Sequence, residues 1–383
     1  MSQETAVFCL AKGPGTRVLL EASEPAAVPV VRALLQALVA DVRCGAVCVV
    51  ANNVALGDLR STFDMLKFLE QPRHKRVLES IPQMDVALAM VGPTNSPSRL
   101  LLCSAKSVFG CTRLFFYASG VQSVTVDLRD AVFWKSADPV DAVLVSNTFT
   151  ASLYQSRIPK GATTVVPVGS TLLDALLGED AALLQVEARQ VLGINPGAQV
   201  LFYPCFPSSD YVPLGCASDV AYQCLLQTLD GVVLAAQDAP ERPHALVVRS
   251  HPRGSQGEKE QLEQLSRRSL PGNLKLLIDP VVSYDTCVQA ADAVACVGTS
   301  TLMLVAPNRG QQVLVLAYDD GGLRVAFEHL FSHEERAVFA QAAEFSVVHN
   351  SNELAFGLGI ATVPRPRSPE GRSTERILER LLG

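Results

Sequence analysis

The chain has 383 residues, 48% hydrophobic and 18% charged, with a net charge of −6; that is enough apolar material for two cores, and ordinary domain size argues for two domains. A sequence pI near 5.6 argues against broad nucleic-acid binding, and the basic residues at 249 to 253 are local, which suits a small anionic ligand better than a polymer. The ten cysteines lack the CxxC pairs of zinc sites or redox dithiols, so they read as buried free thiols in a reducing compartment, and no metal is expected. No basic opening region leads into an apolar stretch and a small-residue cleavage site, so no secretory signal and a cytoplasmic location are expected. The apolar run Val28 to Val42 contains Arg32 and Asp41 and is too short and too charged to span a bilayer, which leaves only peripheral membrane contact open.

From Arg17 the chain alternates strand-like and helix-like pieces, the pattern of an α/β domain on a parallel sheet. RVLLEAS is strand-like, and Pro25 suits the first turn of a helix through VPVVRALLQALVADV. The strand AVCVVANN follows, then an amphipathic stretch near Gly57 to Glu70, a basic turn at Arg73 to Arg76 and the strand DVALAMVG from Asp85. PTNSPS is a loop by composition. LLLCSAKSVFG reads as a helix, TRLFFYAS as a strand, and DAVLVSN, from Asp141, as a late strand of the same sheet. SRIPKGATTVVPVG, Ser156 to Gly169, carries two prolines and two glycines and reads as a crossover, with the domain boundary near Pro167. A long helical stretch follows to Ile194, and AQVLFYPCF opens a second alternating series. Its strands are completed by ALVVRS, LKLLID, AVACVG and QVLVLAYDD, giving five strands of a second doubly wound domain. Ser373 to Leu382 is a short amphipathic helix. The expected domains are therefore 1–166, 167–365 and a tail, 366–383.

Two strand ends carry the chemistry. Ala245 to Val248 has the branching of a buried parallel strand and ends in Arg249, His251 and Arg253, with Pro252 fixing the local backbone. Ala293 to Val297 ends in Gly298, Thr299, Ser300 and Thr301 just before the apolar stretch Leu302 to Ala306. Strand, tight turn and helix start together make an anion site, because free N–H groups, hydroxyls and a positive dipole end converge there. The same turn would also serve as an ordinary N-cap. Two such edges suggest a nucleotide diphosphate, bound by Arg249, His251, Gly298, Thr299, Ser300 and Thr301. Ser208, Ser209 and Asp210 close the preceding strand and face the same edge, or form a polar connecting loop.

The segments SRIPKGATTVVPVGSTLLDAL, ARQVLGINPGAQVLFYP, LVVRSHPRG, DAVACVGTSTL and QQVLVLAYDD resemble, in that order, the C-terminal half of GT-B nucleotide-sugar enzymes. The similarity is to CDP-glycerol glycerophosphotransferases, to capsule and sialic-acid transferases with an HP motif, and to non-hydrolysing UDP-GlcNAc 2-epimerases. It covers residues 140 to 383, while the first half agrees in architecture. The resemblance implies an α/β protein of two doubly wound Rossmann-like domains facing a cleft. The second domain would hold the phosphates of a nucleotide sugar or CDP-linked donor, which is substrate rather than cofactor, and the first an unknown acceptor. The implied activity is glycosyl or glycerophosphoryl transfer, of the kind used in polysaccharide biosynthesis. His251 and Pro252 match the HP motif, and an imidazolium there would offset charge on a leaving phosphate.

The pattern departs from the family where a ribose-binding glutamate and a Gly-x-Pro are expected, since Val305 and Gln312 stand there with Gly310 retained. That leaves a different ribose contact, a CDP or CMP donor, or a catalytically silent binding or scaffold protein. YPCFPSSDY replaces the HRRE-like segment of the 2-epimerases, which makes that isomerase the alternative. In the first half, Glu21 is a candidate base for an acceptor hydroxyl, while Glu24 suits the dipole of the following helix. Asn52, Asn53, Tyr117 and Ser119 end strands, and Asp127, Arg129 and Asp130 form a charged group before Trp134.

Overall fold

The computed structural model describes residues 5–22, 28–71, 81–90, 105–118, 140–158, 163–171, 181–251, 254–298, 300, 302–342, 345–360 and 372–383. The chain divides into two compact units, Met1–Leu177 with Pro369–Gly383, and Gly178–Ser368.

In the first unit the strands are β1 (Thr5–Ala11), β2 (Thr16–Ala22), β3 (Cys44–Asn52), β4 (Leu69–Glu70), β5 (Val86–Ala89), β6 (Arg113–Ala118), β7 (Ala142–Val145) and β8 (Thr164–Pro167). They form one sheet in the order β4-β1-β3-β2-β5-β6-β7-β8. The six strands from β3 to β8 run parallel, whereas β1 is antiparallel to both β3 and β4. The expected parallel series is present, and β1 is an addition to it: TAVFCLA lies before the first expected strand. Helices α1 (Val28–Ala40), α2 (Asn53–Met65) and α3 (Thr148–Arg157) follow β2, β3 and β7. Asn147 caps α3, its side chain accepting from Thr150 N at 2.7 Å. Of the expected helix LLLCSAKSVFG, the described part from Ala105 is a turn, closed by Cys111 N donating to Ala105 O.

Cys9 and Cys48 stand directly opposite each other in the β1–β3 register and form a disulfide, with Cα atoms 4.1 Å apart. Free thiols were expected throughout. Cross-strand register, which spacing along the chain does not reveal, brings this pair together. The other described cysteines are free.

The second unit has β9 (Gln199–Pro204), β10 (His244–Arg249), β11 (Leu274–Ile278), β12 (Ala293–Cys296), β13 (Gln312–Leu316) and β14 (Phe345–Val348). The order is β11-β10-β9-β12-β13-β14, all parallel. This is the dinucleotide-fold order 3-2-1-4-5-6, with its topological switch point between β9 and β12. Five strands were expected; β14 is the sixth, a four-residue FSVV segment. The helices are α4 (Ala181–Val191), α5 (Val220–Asp238), α6 (Gln256–Leu265), α7 (Tyr284–Ala290), α8 (Leu302–Asn308), α9 (Leu323–Leu330), α10 (His333–Gln341) and α11 (Ser351–Ile360). Buried runs such as ALVV in β10 and VLVL in β13 are apolar through their length because helices cover both faces of a parallel sheet. Gly231 lets α11 cross α5 closely: a Cβ there would lie 2.8 Å from Ser351 O.

The boundary differs from the expected one at 166. TVVP is a strand rather than a crossover, because Thr164 to Pro167 pair in register with Ala142 to Val145. The terminal helix, α12 (Ser373–Leu382), belongs to the first unit, where Ile377, Leu378, Leu381 and Leu382 enter the core with Leu34, Leu35 and Leu38 of α1. Arg113 fixes its last turn by donating to Leu381 O at 2.7 Å and Gly383 O at 3.0 Å, which satisfies carbonyls that a helix end leaves unpaired.

Candidate functional site

The carboxyl ends of β10, β9 and β12 are adjacent, so the two expected anion-binding segments stand about 10 Å apart, two strand spacings. The loop after β9 organises the space around them. Ser208 is buried; its Oγ accepts from Ala221 N at 3.2 Å at the start of α5, and its N–H donates to Glu258 Oε1 at 3.1 Å. Ser209 and Asp210 are exposed. Tyr211 packs edge-on against Phe206, ring centroids 4.8 Å apart, and its hydroxyl lies against Gly298. Burial pushes that phenol's pKa up.

Gly298 is left-handed, φ 61°, and a Cβ there would overlap the Tyr211 hydroxyl. Ser300 Oγ accepts from Leu302 N at 3.2 Å, and Ser300 O accepts from Met303 N at 3.1 Å. Ser300 therefore closes the start of α8 in the way an N-cap does. It also hydrogen-bonds the Cys296 thiol, whose pKa burial pushes up to about 12. Thr299 and Thr301 lie outside the described residues.

Arg249 ends β10 half-buried, and its Nη1 donates to Pro280 O at 2.6 Å. Its guanidinium thus leans toward the loop after β11. Ser250 N donates to Asp279 Oδ1 at 2.7 Å, and Cys205 N donates to Arg249 O at 2.8 Å, so the His251 loop is tied to both neighbouring loops. Asp279 itself is left-handed, φ 44°. His251 is half-buried and lines a small surface pocket together with Phe206, Tyr222, Leu225, Glu258 and Lys259. His251 accordingly faces the α5 and α6 side of the strand ends, while Gly298 and Ser300 sit at α8. Pro252 and Arg253 lie outside the described residues.

Sequence reasoning missed Tyr211, Asp279 and Glu258. The last had a legible signal, since S-x-x-E at Ser255 to Glu258 is a capping box. Both halves of that box are present, with Ser255 N donating to Glu258 Oε2 at 2.6 Å and Glu258 N to Ser255 Oγ at 3.2 Å.

Val305 is half-buried within α8. Gln312 is the first residue of β13 and pairs with Ala293, so it lies at the amino end of the sheet, remote from the site edge. Its Nε2 donates to Ser346 Oγ at 2.9 Å.

In the first unit the switch point lies between β2 and β5. Glu21 is there and fully buried, and its Oε2 accepts from Met90 N at 3.2 Å, tying the two strand ends. Tyr117 is buried and donates to Gly169 O at 3.0 Å. Glu24, Ser119, Asp127, Arg129, Asp130, Trp134 and the side chains of Asn52 and Asn53 lie outside the described residues. Among the described residues no three His, Cys, Asp or Glu side chains converge as a metal site, and no helix is long and apolar enough to cross a membrane.

No protein-family model matches the chain, and no curated protein matches it in sequence. Among solved structures it is similar to UDP-GlcNAc 2-epimerase of Methanocaldococcus jannaschii in complex with UDP-GlcNAc and UDP, at 14% identity over 96% of this chain and 99% of that one, TM-score 0.56. A Listeria monocytogenes protein assigned as a UDP-N-acetylglucosamine 2-epimerase is similar at 13% identity over 95% of each chain, TM-score 0.56. An α,α-trehalose-phosphate synthase (UDP-forming) from Burkholderia vietnamiensis aligns at 11% identity over 96% of each chain, TM-score 0.47. At such identities the likeness is one of fold, and the fold is GT-B, with two Rossmann-like domains.

Proposed function

We propose that the chain binds a nucleotide-activated sugar on its second unit and transfers the glycosyl group, or a glycerophosphoryl group, to an acceptor. The observation that carries this reading is the left-handed Gly298 turn at the β9/β12 switch point, with the His251 loop two strands away. Ligands of open α/β sheets bind at the carboxyl ends of strands beside such a switch point. The M. jannaschii structure holds UDP-GlcNAc and UDP on the same fold, which supports a UDP-linked donor ahead of a CDP-linked one.

In glycosyl transfer the bond from the anomeric carbon to the phosphate oxygen breaks, its electron pair goes to the phosphate, and the acceptor oxygen forms the new bond. His251 as imidazolium and the N–H groups of Gly298 and Ser300 would stabilise the leaving phosphate, and Arg249 would add positive potential from the strand end. One such donor is worth about 100-fold or more in kcat. Glu21 stands at the first unit's own switch point. In this reading it would take the acceptor's proton, which requires a motion that uncovers it.

The alternative is an epimerase, in which the nucleotide sugar is converted with no acceptor. The likeness to two 2-epimerases favours it, whereas YPCFPSSDY in place of an HRRE-like segment does not. Thermal-shift titration with UDP, CDP, CMP, GDP and their sugar conjugates tests both, because ligands selective for the folded state raise its melting temperature. Stabilisation by at least one nucleotide, weakened by His251→Ala and by Ser300→Ala, is expected. No shift with any nucleotide at millimolar concentration would sink both enzyme readings. Conversion of the sugar without acceptor identifies the epimerase, and binding without turnover of any donor identifies a silent binding protein.

A further inference from the structure

Three hydrogen-bond donors gather at the Gly298 turn without an acceptor among the described residues. Gly298 is buried, and its N–H makes no hydrogen bond to any of them. A buried N–H left in that state is rare in a folded chain. The N–H of half-buried Ser300 is likewise unpaired, although Ser300 Oγ and O accept from Leu302 N and Met303 N. The third donor is the Tyr211 hydroxyl, which lies against Gly298 and has no hydrogen-bond partner among the described residues. Glycine at 298 is what admits it, since a Cβ would take its place.

Tyr211 is held there by its own loop. It stands between two short 3-10 turns, Ser208–Asp210 and Val212–Leu214. Its N–H donates to Ser208 O at 2.9 Å, and its carbonyl accepts from Leu214 N at 2.9 Å and Cys216 N at 3.3 Å. With the ring also packed on Phe206, little ordering is left to be lost when the hydroxyl meets an acceptor. Burial, with the nearby Asp210, raises the phenol's pKa, so the group stays a neutral donor through the working pH range. Leu330, whose Cδ1 would lie 3.7 Å from a Cβ at 298, adds an apolar wall, and hydrogen bonds beside such a wall are strengthened. α8 has only seven residues, Pro307 among them, so its dipole adds little and the donors themselves must carry the binding. Neutral donors in this number suit a group that brings both the charge and several acceptor oxygens, as a phosphate does.

We infer that Tyr211 binds the phosphates of the nucleotide, its hydroxyl joining the N–H groups of Gly298 and Ser300 in a cradle of neutral donors. This rests on the donor site proposed above and adds a residue to it from a different loop. It also gives a role to YPCFPSSDY, the segment that stands where 2-epimerases carry an HRRE-like cluster: a phenol there takes the place of cations.

The test is isothermal titration of the full chain and of Tyr211→Phe with UDP, with inorganic pyrophosphate as a base-free probe and uridine as a phosphate-free one. The parent should bind UDP and pyrophosphate, and Tyr211→Phe should bind each about 10- to 100-fold more weakly, the range for a hydrogen bond to a charged group. Uridine should not distinguish the two proteins. Tyr211→Phe should melt no lower than the parent, because the hydroxyl has no partner to lose among the described residues. Equal affinity of the two proteins for UDP and pyrophosphate overturns the inference and leaves the donor site standing. An equal loss for uridine, or a lower melting temperature, gives the hydroxyl a structural role and overturns it too. Failure of the parent to bind either UDP or pyrophosphate is the separate result that removes the phosphate site at Gly298, and the role of Tyr211 with it.

Discussion

Gly298 and Tyr211 form a contact whose energetic consequence can be worked out atom by atom. A non-glycine residue at φ 61° costs about 1 kcal/mol from the left-handed backbone alone. Added to this is a steric cost, because a Cβ at position 298 would overlap the Tyr211 hydroxyl. The phenol cannot swing away freely, since its ring is packed edge-on against Phe206 at 4.8 Å. Overpacking of this kind costs about 1–3 kcal/mol, so Gly298→Ala should destabilise the second unit by about 2–4 kcal/mol in total. Removing only the hydroxyl separates the two terms. In Tyr211→Phe the nearest atoms to the new Cβ are Tyr211 Cζ at 3.5 Å and Leu330 Cδ1 at 3.7 Å, ordinary van der Waals distances. Gly298→Ala in that background should therefore cost only about 1 kcal/mol, leaving a coupling of about 1–3 kcal/mol in a double-mutant cycle. Urea unfolding followed by near-ultraviolet tyrosine dichroism suits the measurement, because five of the seven tyrosines lie in the second unit and the single tryptophan, Trp134, in the first. Equal costs of Gly298→Ala in the two backgrounds would refute the contact.

Arg189 is buried and donates to Ala290 O at 3.0 Å, Pro196 O at 2.6 Å and Asp292 at 2.7 Å; Arg189→Met strands a partly buried carboxylate and should cost about 2–4 kcal/mol in urea unfolding, a loss under about 1 kcal/mol contradicting it. Burial, helped by Arg242, holds the imidazole of buried His244 below its ordinary pKa. As pH falls below the unfolded value of about 6.5, the unfolded chain takes a proton that the folded chain resists, so stability drops until the folded pKa is passed. The melting temperature of the parent should thus fall more steeply between pH 7.5 and 5 than that of His244→Leu, and parallel curves would remove the assignment. The Cys9–Cys48 bridge spans 39 residues, and opening a loop of that length should cost about 4 kcal/mol on chain entropy; the check is a lower melting temperature in dithiothreitol that Cys9→Ala/Cys48→Ala no longer shows. Val305 can offer a ribose hydroxyl no hydrogen bond, so dUDP should bind within about threefold of UDP, whereas a loss of about tenfold or more would reveal a polar ribose contact elsewhere.

The parallel strands were legible because burial on both faces demands unbroken apolar runs, and HALVVR, AVAC and QVLVL have them. Those runs gave two doubly wound domains, and the GT-B expectation came from the resemblance of five ordered segments to that family. The edges were harder to see. TAVFCLA precedes the first expected strand and FSVV is only four residues long, and both become strands through pairing with β3 and β13. TVVP was hidden by the prolines and glycines of the segment around it, and its own Pro167 suits an edge strand as well as a linker. At the site, the two strand ends were visible because charged and hydroxyl residues interrupt apolar runs, but the targets of their side chains were not. Nothing in the spacing says that Arg249 reaches Pro280 O, or that Tyr211 covers Gly298, since both contacts depend on loops brought together by sheet order.

That same sheet order narrows the meaning of the family's missing residues. Val305 and Gln312 read together as one lost ribose pocket, yet only Val305 is near the edge where a ligand would lie. Gln312 stands at the opposite end of its strand, opposite Ala293, and serves the sheet through Ser346. The carboxylates after β13, at the site edge, already have partners: Asp319 pairs with Arg324 at 3.0 Å, and Asp320 accepts from Gln227 Nε2 at 2.5 Å. A donor held by the Gly298 turn and the His251 loop would therefore be recognised chiefly through its phosphates and its base. Phosphate recognition of that kind tolerates changes in the sugar and the ribose, so specificity would come from the base and from the acceptor.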